Sequence, residues 1–380
     1  MKPRVLAASL LVLALLLNLL WVAYSVGDLR DYGSFIAAGE AKSDGDDPYG
    51  VYEDTYRTTY QGKDVDLPNL NPPVSVYAFQ ALAEVNPGLG KGAVVAASIG
   101  LYACVIVLLV RRYPDKRTPL VILWAVSLAG FWHTLELGQV YIPLLAAFTG
   151  AWLLQDRRPI LAGVLLGLTI ALKPNFALLP VLLLIGGERR SSLSALATAA
   201  AVSALPLLLD GTAIYRQWLD ASRDFAGLEM PGNSALVAMF TRTGLVEVGY
   251  VVSVALVAAL LVYAKRGGAT REQLMAAGVI GALLLGPITW SGYTLFALPV
   301  LMARRWGNWE RTAAALLAVP VPLVLILMPL NTLTAVLIGP LYGWGLLILL
   351  GLAARDAWMQ RFAAQSMGPA TLADERALAA

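Results

Sequence analysis

Residues 159–187 read PILAGVLLGLTIALKPNFALLPVLLLIGG, with Lys173 the sole charge, between Arg157-Arg158 on one side and Glu188-Arg189-Arg190 on the other. Read outward from Lys173-Pro174, the stretch is a helical hairpin with a charge at its tip. Each arm of about 14 residues reaches about 21 Å into a hydrocarbon core about 30 Å thick, so Lys173 lies below the far membrane surface. An ammonium there is costly unless it faces a wet or protein-lined cavity, which marks a functional site. The alternative is a lysine that snorkels to the headgroups.

The rest of the chain agrees with a membrane setting. With 58% hydrophobic and 14% charged residues among 380, the apolar surface exceeds what a soluble core can hide. The chain reads as an all-α polytopic membrane protein with about 12 transmembrane helices. The expected spans are 5–26, 90–110, 118–135, 139–155, 159–172, 174–187, 193–209, 244–264, 273–290, 292–303, 312–330 and 334–354. Basic clusters at Lys2/Arg4, Arg111-Arg112 with Lys116-Arg117, Arg157-Arg158, Arg189-Arg190, Lys265-Arg266 with Arg271, Arg304-Arg305 with Arg311, and Arg355/Arg361 can all be cytoplasmic together. That parity requires 72–87, although apolar, to lie flat on the outer membrane surface rather than cross.

Residues 1–354 then form a single transmembrane domain with external loops 27–87 and 210–243, and 355–380 form a cytoplasmic tail. The first apolar run is long for a signal peptide and is read as an uncleaved span, despite the Ala23-Tyr24-Ser25 box. Cys104 is the sole cysteine, which excludes an intramolecular disulfide. The cytoplasmic clusters account for the net charge of +3, so no nucleic-acid partner is expected.

With this topology the unusual polar residues converge outside. Glu136-Leu137-Gly138-Gln139, Lys173-Pro174-Asn175 and Trp290-Ser291-Gly292-Tyr293 are hairpin tips, and Asn233-Ser234 and Arg242 lie in the second external loop. Two shortened hairpins side by side imply a depression open to the outside, floored by polar tips. Asp31 sits where that depression opens. A carboxylate there is a candidate general base, or a cap for a helix that starts near Tyr32. The turn Asp44-Gly45-Asp46-Asp47-Pro48-Tyr49 has a metal-pair spacing, but its turn-forming residues read better as solvated carboxylates. His133, the sole histidine, makes no zinc site by itself, and no phosphate-cradling glycine loop follows a strand. A donor for chemistry at this level is then a lipid phosphate rather than a cytosolic nucleotide.

Asp31, the Gly45 to Tyr49 turn, Asn71-Pro72-Pro73, Gly138-Gln139, Leu172-Lys173-Pro174, Asn233-Ser234 and Pro287-Ile288-Thr289-Trp290 occur in that order. From about residue 20 to 300 the pattern resembles the bacterial polyprenol-phosphate-mannose-dependent mannosyltransferases of glycosyltransferase family 87, in the glycosyltransferase C superfamily. The resemblance implies a glycosyltransferase C-type fold with surface-lying helices in the first external loop. It also implies a polyprenyl-phosphate-linked sugar donor, mannose first, and a lipid or glycan acceptor. Transfer would occur on the outer face of the cytoplasmic (inner) membrane, among membrane lipids and with no cofactor; no metal is required either, because the leaving phosphate is singly esterified and a lysine can neutralise it. The family's catalytic aspartate carries over to Asp31 and its Lys-Pro lysine to Lys173. The family's histidine two residues after the tryptophan is replaced by Gly292, followed by Tyr293, and its serine before the proline by Gly286.

The charges then suggest a mechanism. Lys173, with Arg242 or Arg216, stabilises the leaving phosphate, and Asp31 takes the acceptor proton in a single inverting displacement. Gln139, Asn175, Asn233, Trp290 and Tyr293, with Asp46 and Tyr49 from the turn, are candidate sugar or acceptor contacts. Two rival readings stay open: a transporter or flippase for a lipid-linked sugar, and a noncatalytic glycan-assembly protein, to which the Gly292 departure points. The repeated halves and midplane helix breaks of a transporter are not visible.

Overall fold

The protein is described from a computed structural model covering residues 3–25, 30–60, 63–224, 227, 230, 232–266 and 268–366. Lys2, Asp28 and the tail beyond 366 lie outside the described residues. The chain is helical almost throughout. Helix α1 (Pro3–Ser25) buries only Ala14, Asn18 and Ser25, so most of its apolar surface faces outward. Among its few inward contacts, the Ser127 hydroxyl donates to Leu11 O at 3.1 Å.

The segment between α1 and the next long helix holds helix α2 (Arg30–Asp44), strands β1 (Tyr56–Tyr60) and β2 (Lys63–Leu67), and helix α3 (Val74–Ala83). Phe35 of α2 stacks on Phe79 of α3, their ring centroids 4.4 Å apart. The hairpin is antiparallel, with Tyr56 opposite Leu67. This two-stranded hairpin is an addition to an otherwise helical chain: the Tyr and Thr residues of β1 suit a pleated surface, and Val65 and Leu67 of β2 pair with it. Helix α3 covers ten residues, about 15 Å, half the thickness of a hydrocarbon core, so 72–87 is too short to cross as a helix.

Helix α4 (Pro87–Arg112) is a full-length span capped by Asn86, whose side chain accepts from the Gly88 and Leu89 amides. The expected span 118–135 is present as α5 (Pro119–Val126) and α6 (Ala129–Leu137), interrupted at Ser127-Leu128 but together long and apolar enough to cross. Helix α7 (Tyr141–Leu154) leads to the hairpin of α8 (Pro159–Leu172), a single 3-10 turn Pro174–Ala177 and α9 (Leu178–Ile185). The break falls at Lys173-Pro174, because proline has no N–H and its ring rejects a preceding helical turn. Helix α10 (Arg189–Asp210) packs on α8 at Gly163 and Gly167. A Cβ at either glycine would stand 2.2 Å from Ser191 O or 2.6 Å from Ala195 O, so small residues let the two backbones touch.

Helix α11 (Ala213–Asp224) and the short α12 (Leu236–Thr241) precede the span α13 (Val246–Lys265). Helix α14 (Arg271–Leu285) starts at a Thr270 capping box and is buried along most of its length. Then follow the 3-10 turns Ser291–Phe296, α15 (Ala297–Ala303), α16 (Asn308–Leu317), α17 (Val321–Leu327), α18 (Thr332–Ile338) and α19 (Leu341–Ser366). Among the described residues, five helical segments are long and apolar enough to cross a membrane, or seven if the bent pairs 308–330 and 332–356 each count once. This is a multi-pass membrane protein. The expected spans at 139–155, 159–172, 174–187, 273–290 and 292–303 are present as apolar helices shorter than a full crossing.

One end of the bundle gathers the cytoplasmic-type charges. Arg271 pairs with Asp156 at 3.0 Å and Glu188 at 2.5 Å. The Tyr113 hydroxyl donates to Glu272 at 3.2 Å, and Arg304 pairs with Asp356 at 2.6 Å. The polar tips at 136–139, 173–175 and 290–293 meet elsewhere, around one cavity.

Candidate active site

The cavity has a volume of about 800 Å³, and its walls draw on α1, α2, the β hairpin, the α6–α7 and α8–α9 tips, the 287–293 segment and α17. Asp31 lies in the first turn of α2 and lines it. Arg30 is already helical, so Asp31 is inside the helix rather than capping one that starts at Tyr32. Its carboxylate accepts from Gln139 Nε2 at 2.5 Å. Gln139 reaches it because α6 ends at Gly138 in the left-handed conformation, φ 70°, which turns the chain sharply at little cost for glycine. Burial pushes the Asp31 carboxyl up to about 6 against the lowering pull of Gln139, Lys173 and Arg30.

Lys173 points into the same cavity. Its ammonium donates to Asn71 Oδ1 at 2.8 Å and lies over the rings of Tyr141 and Tyr293, at 5.1 and 5.3 Å from their centroids. The two rings are themselves 4.5 Å apart. A cation held by two aromatic faces and an amide oxygen is fixed inside the protein, so the snorkelling alternative is set aside. Asn71 is placed in turn by Tyr49, whose hydroxyl donates to Asn71 O at 3.0 Å.

Some of the residues singled out from the sequence reach the cavity. Gln139, Asn175, Trp290 and Tyr293 all line the cavity, and the Asn175 amide nitrogen is buried with no partner. Others are corrected. The Asn233 amide is consumed by the backbone: it donates to Gly227 O and Pro287 O at 3.1 Å each, and accepts from the Ala235 and Thr289 amides at 3.1 and 2.9 Å. It pins the loop before α12 to the 287–289 segment and does not reach the cavity. Arg242 donates to Ala238 O and Met230 O, binding its own loop, and Arg216 is exposed on α11. Neither is among the lining residues, because each side chain is closer to local carbonyls or solvent than to the tips. Asp46 is exposed, and Tyr49 is buried behind Asn71 rather than at the surface of the cavity.

Four residues that the sequence reading gave no role also face the cavity: Arg30, His133, Glu136 and Ser291. Glu136 was the legible signal, a carboxylate within an apolar hairpin tip. Arg30 stood beside Asp31, but nothing in the sequence told whether it faced in or out. The glycine at 292 also has a physical explanation. A Cβ there would stand 2.5 Å from Tyr141 Cδ2, so the Tyr141 ring fills the room a side chain would need. The imidazole nearest this segment comes from α6 instead, where His133 Nδ1 is 2.5 Å from Ser291 Oγ. Among the described residues no cluster of three His, Cys, Asp or Glu side chains is placed to hold a metal ion.

A buried carboxylate, Asp31, and a caged ammonium, Lys173, thus share one cavity in a multi-pass helical membrane protein. The chain belongs to glycosyltransferase family 87, whose family model matches residues 69–288, and it is a glycosyltransferase. It is 26% identical over 305 residues, 69% of each chain, to the polyprenol-phosphate-mannose-dependent alpha-(1-2)-phosphatidylinositol mannoside mannosyltransferase of Mycolicibacterium smegmatis. No solved structure matches the chain.

Proposed function

We propose that this protein transfers mannose from a polyprenyl phosphate to a hydroxyl of a lipid or glycan acceptor on the outer face of the cytoplasmic membrane. The observation that carries the reading is Asp31 and Lys173 lining one cavity, the first tuned by burial to about 6. The relative's donor supports the choice of sugar and carrier. Asp31 accepts the acceptor's proton as its oxygen bonds to the anomeric carbon. The carbon–oxygen bond to the phosphate breaks with its electron pair going to the phosphate, whose growing charge Lys173 neutralises. One displacement inverts the anomeric centre. Gln139 orients Asp31, while Asn175, Trp290 and Tyr293 contact the sugar. The same reading takes 1–354 as one glycosyltransferase C-type domain of about 12 membrane helices with its cavity facing out, and 355–380 as a cytoplasmic tail.

The test is Asp31→Asn in the purified full chain. A base with a pKa of about 6 must be ionised to work, so parental kcat/KM should rise with pH through about 6. The Asn variant should lose that limb and about 10²- to 10⁴-fold in rate, with Asp46→Asn unchanged. Stability moves differently. The folded pKa lies above the ordinary 3.8, so any stabilising contribution belongs to the protonated form and is lost as pH rises from about 4 through 6. At neutral pH Asp31→Asn should therefore melt no lower than the parent, whereas a lost cap would cost about 1 kcal/mol. Near-parental transfer by Asp31→Asn would overturn the assignment.

A further inference from the structure

The polar lining divides into two banks with opposite charge balance, and Asp31 lies in the field of both, since Lys173 and Arg30 each lower its pKa. One bank is Lys173 with Asn71 and the Asn175 amide, a cation whose direct partners are neutral. The other is Arg30, His133, Glu136 and Ser291. There Arg30 Nη1 lies 3.5 Å from Glu136 Oε1 and donates to Tyr56 OH at 3.1 Å. Glu136 is almost fully buried, its side chain 2% exposed, while those of Arg30 and His133 are 30% and 19% exposed toward the cavity.

We infer that the Arg30–His133–Glu136–Ser291 bank is the acceptor subsite and that it takes a neutral, hydroxyl-rich ring. The inference rests on Asp31 as base and Lys173 as phosphate site. Two observations select the ligand class. First, one guanidinium beside Glu136 and Asp31 leaves no excess positive charge, so this bank has little attraction for a phosphate, which belongs to Lys173. Second, the groups suit hydroxyls, which both donate and accept. Ser291 Oγ engages His133 Nδ1 and fixes the ring. His133 Nε2 is 3.7 Å from Glu136 Oε2, beyond hydrogen-bond distance, so that edge of the imidazole can take a ligand hydroxyl. The guanidinium supplies forked donors for adjacent oxygens. Glu136 is a positioning residue for Arg30, with which it pairs at 3.5 Å.

The experiment measures binding to the full chain in nanodiscs. Its probes are octyl α-mannoside as a neutral polyol, phosphatidic acid as an anionic headgroup and polyprenyl phosphate as the donor carrier. The parent should bind octyl mannoside without competition from phosphatidic acid. His133→Gln and Arg30→Gln should weaken octyl mannoside about tenfold and leave polyprenyl phosphate unchanged, whereas Lys173→Met does the reverse. Ser291→Ala, which frees the imidazole without touching the buried carboxylate, should weaken the polyol by a few-fold and serves if either larger change unfolds the protein. Polyol binding indifferent to His133, Arg30 and Ser291, no polyol binding by the parent, or competition by phosphatidic acid would overturn the subsite. A parent that binds no polyprenyl phosphate would instead overturn the donor reading beneath it.

Discussion

Lys173 and Gly292 work as a pair, although the sequence shows them as unrelated. The ammonium keeps its place because Tyr141 and Tyr293 flank it, and Tyr141 keeps its place because residue 292 has no Cβ. Lys173→Met removes a charge-assisted contact of about 1.5 to 3 kcal/mol, which should weaken polyprenyl phosphate binding about one to two orders of magnitude. Gly292→Ala leaves the charge but pushes the Tyr141 ring away, losing a cation–π contact of about 1 to 2 kcal/mol. Donor affinity should fall roughly five- to thirtyfold, with an overpacking cost of about 1 to 3 kcal/mol in thermal unfolding. Equal donor affinity in Gly292→Ala and the parent would show that the tyrosine cage is incidental.

The elements that roof the cavity are tied to the membrane bundle at Asp210, the last residue of α10. Its carboxylate pairs with Lys42 of α2 at 2.5 Å and accepts from the Tyr77 hydroxyl of α3, while Lys42 sits 5.8 Å over the Tyr77 ring. All three groups are substantially shielded, so the clamp holds α2, and with it Asp31, above the tips. Asp210→Ala should cost about 1 to 3 kcal/mol by stranding Lys42 and Tyr77. Amide exchange in 30–44 and 74–83 should quicken. The exposed cross-strand pair Arg57–Asp66 is the control, because such pairs are worth about 0 to 1 kcal/mol. Unaltered exchange in α2 after loss of Asp210 would show that the roof stands by its own packing.

For the whole molecule, convergence of the Arg112, Arg157, Arg190 and Arg304 neighbourhoods at one end predicts a single orientation in the bilayer. Helix α4, at 26 residues, spans about 39 Å and leads directly from the roof at Val85 to that end at Asp115. Single cysteines placed at Val85 and at Asp115, with Cys104 replaced, should separate under an impermeant thiol reagent on intact cells. Val85 should label and Asp115 should not. Labelling at Asp115 alone would invert the protein and put the cavity inside.

What the sequence determined by itself was the class and the deepest landmarks. Long apolar runs need no partner to declare a bilayer, and a lone Lys-Pro inside one both breaks the helix and demands a cavity. Asp31, Gln139, Asn175, Trp290 and Tyr293 were legible because each is a polar or aromatic residue at an apolar boundary. Tertiary structure alone decided which loop residues face the site. Arg242, Arg216, Asn233 and Asp46 carry suitable chemistry, yet the first and third are bound to nearby backbone and the others face away. Arg30, His133 and Ser291 entered because three separate chain segments fold to one wall. Local pattern reports burial and breaks, whereas the direction a side chain takes from a loop depends on contacts with residues a hundred positions away.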